Sequence, residues 1–325
     1  MSQTFASDIL GYHYRLTKKI YRNIYLVNDT RNDCIKCLKL IDITNENQHL
    51  MKGIYRERSI LSLLDSPYIV KYQDSFFSSG KLCIVTEYCE GRDLAQKIKQ
   101  LKSDGIKLPE EKIIHWFSQL LSACHYIHSQ NILHRNIKPG NILIKNGILK
   151  LGDFGVSREL KESEDASTFI GTPYYMSPEI IKNDKYNSKS DIWSLGCVLY
   201  ELATYQKPFV GDKIIDIFES IKNDECPSII NLYSKHLNKI LKKILEKNPN
   251  DRPDAGLLLC EPLIADYAKK LIQMSLKCEE TPENMQALLT SLAPINVFFE
   301  DDTFGDYDNK STLKASSSST LRNAL

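Results

Sequence analysis

The chain has 325 residues, 42% hydrophobic and 26% charged, with a formal net charge of +1. That balance suits a packed core with a solvated surface and gives no global electrostatic reason to expect nucleic acid or an acidic membrane as partner. No apolar run approaches the about 20 residues a membrane helix needs, so membrane insertion is not expected. The opening MSQTFASDIL has neither the basic nor the apolar region of a secretion signal, and of the nine cysteines only Cys34 and Cys37 stand at C-x-x-C spacing, with no second such pair to complete a zinc set. The expectation is a cytoplasmic protein with free thiols and no zinc site.

Residues 1–13 read as an N-terminal extension. From residue 12 to 43 the chain alternates in strand fashion, with Ile24–Val27 and Cys34–Ile41 as β-rich runs. Between Gln48 and Leu64, the apolar positions Leu50, Ile54, Leu61 and Leu64 recur at helical spacing and stop before Ser66-Pro67. Two more strands are predicted over Tyr68–Phe77 and Leu82–Tyr88. Residues 14–90 thus form a small strand-rich lobe with one helix. After Gly91 the pattern turns helical, and residues 91–268 read as a larger, mostly helical lobe, an α+β arrangement overall. Ile113, Ile114, Phe117, Leu120, Leu121, Cys124 and Ile127 form an apolar stripe behind Pro109-Glu110, which suits a helix start.

His134 to Glu179 reads as loop-rich, followed by helical segments around Asp191–Ala203, Asp212–Lys222 and His236–Glu246. Leu263, Tyr267, Leu271, Met274 and Cys278 recur at three- to four-residue steps, which predicts an amphipathic segment packing back on the larger lobe. Residues 269–325 read as a helical extension and then a polar tail. Glu300-Asp301-Asp302 and Ser316–Ser319 bias that tail towards disorder.

Several blocks stand out in order. They are His134-Arg135-Asn136-Ile137-Lys138-Pro139-Gly140-Asn141, then Lys150-Leu151-Gly152-Asp153-Phe154-Gly155, then Gly171-Thr172-Pro173 running to Ser177-Pro178-Glu179. Asp191-Ile192-Trp193 to Gly196 and Asp251-Arg252-Pro253 follow. Their order and spacing resemble a protein kinase over about residues 14 to 268. The wording of the blocks, with Glu87-Tyr88-Cys89-Glu90-Gly91-Arg92-Asp93, resembles the NIMA-related (Nek) Ser/Thr kinases.

That resemblance implies a two-lobed fold with ATP between the lobes and Mg²⁺ on its phosphates. Lys39 takes the place of the family's phosphate-contacting Lys, and Glu57 that of the carboxylate that holds it. Asp153 and Asn141 stand as the metal ligands, and Lys138 as the charge that steadies the transferred phosphoryl group. Thr86 stands beside the adenine pocket, Glu87 and Cys89 would offer backbone hydrogen bonds to the base, and Ile24, Cys37 and Leu143 complete the nucleotide-contacting set. Asp93 either reaches the ribose hydroxyls or caps the helix it begins. His134 and Phe154 fit an internal packed column, and Glu179 with Arg252 a buried ion pair. Thr168, with Ser167 and Thr172 as rivals, is the expected activation-loop phosphosite, and Arg135 its partner. Action at the centrosome or cytoskeleton, or in the nucleus, is implied by the resemblance alone.

Two positions depart from the family. Its loop reads H-R-D-x-K-x-x-N, and the Asp accepts the substrate hydroxyl's proton. Asn136 stands there instead, with a similar shape but no charge and no useful basicity. The family's G-x-G-x-x-G stretch falls on Thr17-Lys18-Lys19-Ile20-Tyr21-Arg22, without one glycine. Glycine serves there because backbone N–H groups must approach the phosphates closely. Lys18, Lys19 and Arg22 either contact phosphates with their side chains or are solvated charges on a strand turn. The expectation is a Nek-like pseudokinase acting through nucleotide-sensitive shape or through a protein partner. The alternatives are a weak Ser/Thr kinase with a protein substrate, and a scaffold that never binds ATP.

Overall fold

The computed structural model describes residues 13–43, 61–153 and 173–277, with side chains to residue 269. The smaller lobe is a five-stranded antiparallel sheet: β1 (Tyr14–Tyr21), β2 (Ile24–Asp29), β3 (Cys34–Asp42), β4 (Tyr72–Ser78) and β5 (Lys81–Glu87), in the order β1-β2-β3-β5-β4. One face closes over Tyr14, Val27, Leu38, Leu40, Cys83 and Val85. Of the expected helix over 48–64, the described residues 61–63 are helical.

The strand predicted over Tyr68–Phe77 starts only at Tyr72. Its first residues are committed elsewhere: Leu151 N–H donates to the Tyr68 carbonyl at 2.8 Å, and Val70 N–H to the Leu151 carbonyl at 2.9 Å. Backbone groups spent on the larger lobe cannot also extend the ladder with β5.

The larger lobe is built on α1 (Leu94–Ser103) and α2 (Glu110–Ser129). All seven stripe residues named above for α2 are buried, each contributing roughly 1.5–3 kcal/mol relative to exposure. The stretch from His134 to Glu179 contains an element not predicted, a hairpin of β6 (Ile142–Lys145) and β7 (Ile148–Leu151). Its turn is Asn146-Gly147, with φ of +50° and +77°, the left-handed pair that a two-residue hairpin requires. After α3 (Pro178–Ile181) come α4 (Ser188–Thr204), α5 (Ile214–Asn223), α6 (Lys235–Ile244) and α7 (Ala255–Leu259).

α4 begins three residues before the predicted segment, because Asn187 Oδ1 accepts the Lys189 N–H at 2.8 Å and Ser190 returns a bond to the cap. Gly196 lets α4 approach α6: a Cβ there would stand 2.5 Å from Ile244 Cγ2.

α8 (Pro262–Lys277) lies against α2 and α7, as the amphipathic spacing predicted. Its buried positions are Ile264, Ala265 and Ala268, with Leu263 and Tyr267 at their flank. The contact line therefore runs beside the predicted one. The side chains of Leu271 and Met274, like Cys278 and the tail, lie outside those described. No described helix is long and apolar enough to cross a membrane.

Candidate functional site

β3 supplies one wall of the cleft. Directly paired residues of an antiparallel ladder share a face. Lys39 pairs with Ile24 and Ile84, and Cys37 with Leu26 and Thr86. Ile24, Cys37, Lys39 and Thr86 therefore project from one face of the sheet, opposite the face that carries Leu38 and Leu40.

Lys39 Nζ reaches across to the other lobe and meets Asp153 Oδ1 at 2.5 Å. Burial pushes the Asp153 carboxyl up, but Lys39, by charge and hydrogen bond, outweighs it with help from Lys138, and holds it below its ordinary value. Asp153 is ionised at neutral pH. Glu57, the expected partner of Lys39, lies outside the described residues.

The catalytic-type loop is anchored by its backbone. Asp191, fully buried in the first turn of α4, accepts the N–H groups of His134 and Arg135 at 3.0 Å each. It also accepts His128 Nε2–H at 2.9 Å and the Tyr186 hydroxyl at 2.5 Å. Burial raises this carboxyl, yet those donors and the helix N-terminus favour its charged form, and its pKa lies below the ordinary value. Arg135 is held at φ +64°. A carboxylate with four donors explains how a residue without glycine's freedom stays there.

Within this frame Asn136 N–H donates to His134 Nδ1 at 3.2 Å, and the Asn136 carbonyl accepts Asn141 Nδ2 at 2.8 Å. His134 Nε2 bonds the Gly152 carbonyl at 3.0 Å, so the proton sits on Nε2 and Nδ1 accepts. Burial pushes the His134 pKa down, consistent with a neutral ring.

Asn141 fits a metal ligand. A carbonyl can only accept, so the bond to Asn136 fixes the amide with Nδ2 inward and leaves Oδ1 available. Gly152 N–H donates to the Asn141 carbonyl at 2.9 Å, tying Asn141 to the residue before Asp153. Asn141 Oδ1 and the ionised Asp153 are hard oxygen donors that suit Mg²⁺, which completes its shell with water and phosphate oxygens. Among the described residues no group of three His, Cys, Asp or Glu side chains gathers to hold a metal without such help.

On the adenine side, backbone and side-chain bonds commit parts of the expected residues within the protein. Glu87 N–H donates to the Lys71 carbonyl at 2.9 Å, which leaves the Glu87 carbonyl as the backbone group it can offer to a base. The Glu87 carboxylate accepts Lys71 N–H at 2.8 Å and pairs with Lys145 at 2.7 Å and Lys150 at 2.8 Å, joining β5 to the β6–β7 hairpin. Cys89 is buried, and burial pushes its thiol up to about 12, which leaves it unreactive. Asp93 is the N-cap of α1: its Oδ1 accepts Gln96 N–H at 2.8 Å, and its Oδ2 bonds the Gln96 amide. Its backbone bridges Leu143, bringing those two candidates together.

Glu179 and Arg252 form the expected buried pair, with two bonds of 2.7 Å; the guanidinium also donates to the carbonyls of Lys189, Glu246 and Lys247. Thr168, Ser167, Thr172 and Phe154 lie outside the described residues.

The stretch Thr17–Arg22 is the end of β1 and the tight turn into β2. Tyr21 pairs with Ile24 across Arg22-Asn23, and neither turn residue has a positive φ. The turn makes no conformational demand for glycine. Asn23 fastens it to β3 through its amide to the Leu40 carbonyl at 2.7 Å.

The chain that sets Lys39 over an ionised Asp153, beside a loop hung from Asp191, matches the family model of the protein kinase domain over residues 21–264. The chain belongs to the protein kinase family. Among curated proteins, this chain is 42% identical over 277 residues to the serine/threonine-protein kinase Nek11 of Homo sapiens, covering 83% of this chain and 43% of the relative. It is 39% identical over 249 residues to Nek6 of Oryza sativa subsp. japonica, covering 76% and 46%. It is 40% identical over 257 residues to Nek1 of Mus musculus, covering 78% and 21%. The chain thus spans less than half the length of these relatives.

The role of Asp191 escaped the sequence reading, although its block was noted. A carboxylate in the first turn, just ahead of the mostly apolar run Ile192–Tyr200, was the available signal. The carboxylate of Glu87 left no comparable trace, because Lys145 and Lys150 are distant in sequence.

Proposed function

We propose that this Nek-like kinase-fold protein binds ATP with Mg²⁺ and works chiefly as a pseudokinase, through nucleotide-sensitive shape or protein contacts. Asn136 carries this reading. It occupies the proton acceptor's place on a loop whose backbone is otherwise held by Asp191, His134 and Asn141. Within that loop the defect is chemical and lies in a side chain that cannot take a proton.

Mg²⁺ held by Asp153 and Asn141 would neutralise phosphate charge. Lys39 would bind the α- and β-phosphates, and Lys138 would add positive charge near the transferring group. These retained groups favour a second reading, a weak Ser/Thr kinase acting on protein hydroxyls, since phosphoryl transfer depends mostly on positioning and charge. Cytoplasmic residence, with work at the centrosome, cytoskeleton or nucleus, belongs to the same proposal, as does a Thr168 phosphosite partnered by Arg135.

The test follows γ-labelled ATP with the full chain, its Lys39→Ala and its Asn136→Asp forms, on itself and a basic protein. Label in the wild type above the Lys39→Ala background would establish the weak kinase and end the pseudokinase reading. Label only in Asn136→Asp would support a pseudokinase silenced by one missing base. Failure of Mg²⁺–ATP to stabilise the wild type would leave a scaffold that never binds ATP.

A further inference from the structure

The turn that replaces the glycine stretch carries three cations, and the register separates them. Leu16 pairs with Val27 on the face packed over Leu38, away from the cleft. Simple alternation would place Lys18 on that same outer face and Thr17 over the cleft. The ladder slips between Leu16 and Lys18: Lys18 pairs with Leu26, which pairs with Cys37. Thr17 is the extra residue of a bulge, and a bulge exchanges the faces of the residues beyond it. Lys18 therefore shares the cleft face with Leu26 and Cys37, one row along from Tyr21, Ile24 and Lys39. Lys19 pairs with Tyr25 on the outer face, where its Nζ lies 5.6 Å from the ring centroid. Arg22, at the turn itself, stacks on the Tyr21 ring at 5.8 Å. Lys18 is exposed and takes no part in an ion pair among the described residues.

We propose that Lys18, re-aimed by the bulge at Thr17, is the side-chain cation that replaces lost glycine-loop amides in binding the phosphates of a nucleoside triphosphate. The inference rests on the proposed nucleotide binding. A flexible ammonium suits a strand whose side chains keep the backbone away from the ligand. It gives a point charge where the glycines would give directed N–H groups.

Calorimetric titration of the full chain with Mg²⁺–ATP and with adenosine tests it. Lys18→Ala should weaken Mg²⁺–ATP binding about fivefold at low salt, the upper range for one exposed charge, and less at high salt. Adenosine affinity should not change, Lys18→Arg should bind Mg²⁺–ATP as the wild type does, and Lys19→Ala should leave both ligands unaffected. Wild-type Mg²⁺–ATP affinity in Lys18→Ala would overturn the proposal, as would an equal loss for adenosine or an equal loss in Lys19→Ala. In those cases nucleotide binding itself stands. A wild type that binds neither ligand would overturn the nucleotide-binding reading, and this inference with it.

Discussion

Asn141 Nδ2 donates to the carbonyl of Asn136 at 2.8 Å, so one expected metal ligand holds the backbone of the residue that stands in the proton acceptor's place. The loop does not need a carboxylate at 136 to keep its path. Restoring one in Asn136→Asp should leave the fold unchanged and raise phosphotransfer by about 10²- to 10⁴-fold, the usual worth of a general base. Single-turnover transfer of labelled phosphate measures it. An Asn136→Asp protein that binds Mg²⁺–ATP but transfers no faster would place the block elsewhere, with the altered β1–β2 turn first in line.

Lys39 and Asp153 form the second relationship that reports on function. Mg²⁺–ATP at a hundredfold excess over its Kd should stabilise the wild type by about 2.7 kcal/mol. Lys39→Ala should lose most of that gain. It should also raise the Asp153 pKa, since burial then acts without the lysine's opposing charge. Thermal unfolding with and without ligand measures the first effect, and NMR titration of the carboxyl the second. Retained stabilisation in Lys39→Ala would assign the phosphates to other cations.

The buried pair Glu179–Arg252 is scaffold, and its loss should be severe. Arg252 is 1% exposed and every bond it makes is to a carboxylate or a carbonyl. Glu179→Ala strands that guanidinium, at a cost of about 3–5 kcal/mol, and Arg252→Ala strands the carboxylate at a similar cost. In a urea series the double variant should cost clearly less than the sum of the two single ones. Simple additivity would mean the two groups act independently, against the geometry.

The wall residues were legible in the sequence because β-alternation and motif spacing act over a few residues. Lys39, Cys37 and Thr86 sit on one face for that reason. The β6–β7 hairpin was equally legible in Asn146-Gly147, yet the motifs on either side drew the whole stretch into a loop. The face of Lys18 was not legible, since it turns on a one-residue slip that only pairing with β2 defines. Nor was the Glu87 pairing with Lys145 and Lys150, which arises from tertiary packing of distant segments.

His134 gives the pH dependence. Burial holds its folded pKa below the unfolded value of about 6.5, so between those two values the unfolded chain binds more protons than the folded one. Its contribution is fully present above about pH 6.5 and is lost as pH falls towards the folded pKa, by at most about 1.4 kcal/mol per pH unit. Protonation would also place a proton on Nδ1, where the Asn136 N–H now donates, so the strain falls on the loop that carries Asn136. The melting temperature should therefore drop between pH 7 and 5.5. His134→Phe should show a shallower drop, whatever its absolute stability. An unchanged slope in His134→Phe would assign the dependence to another group.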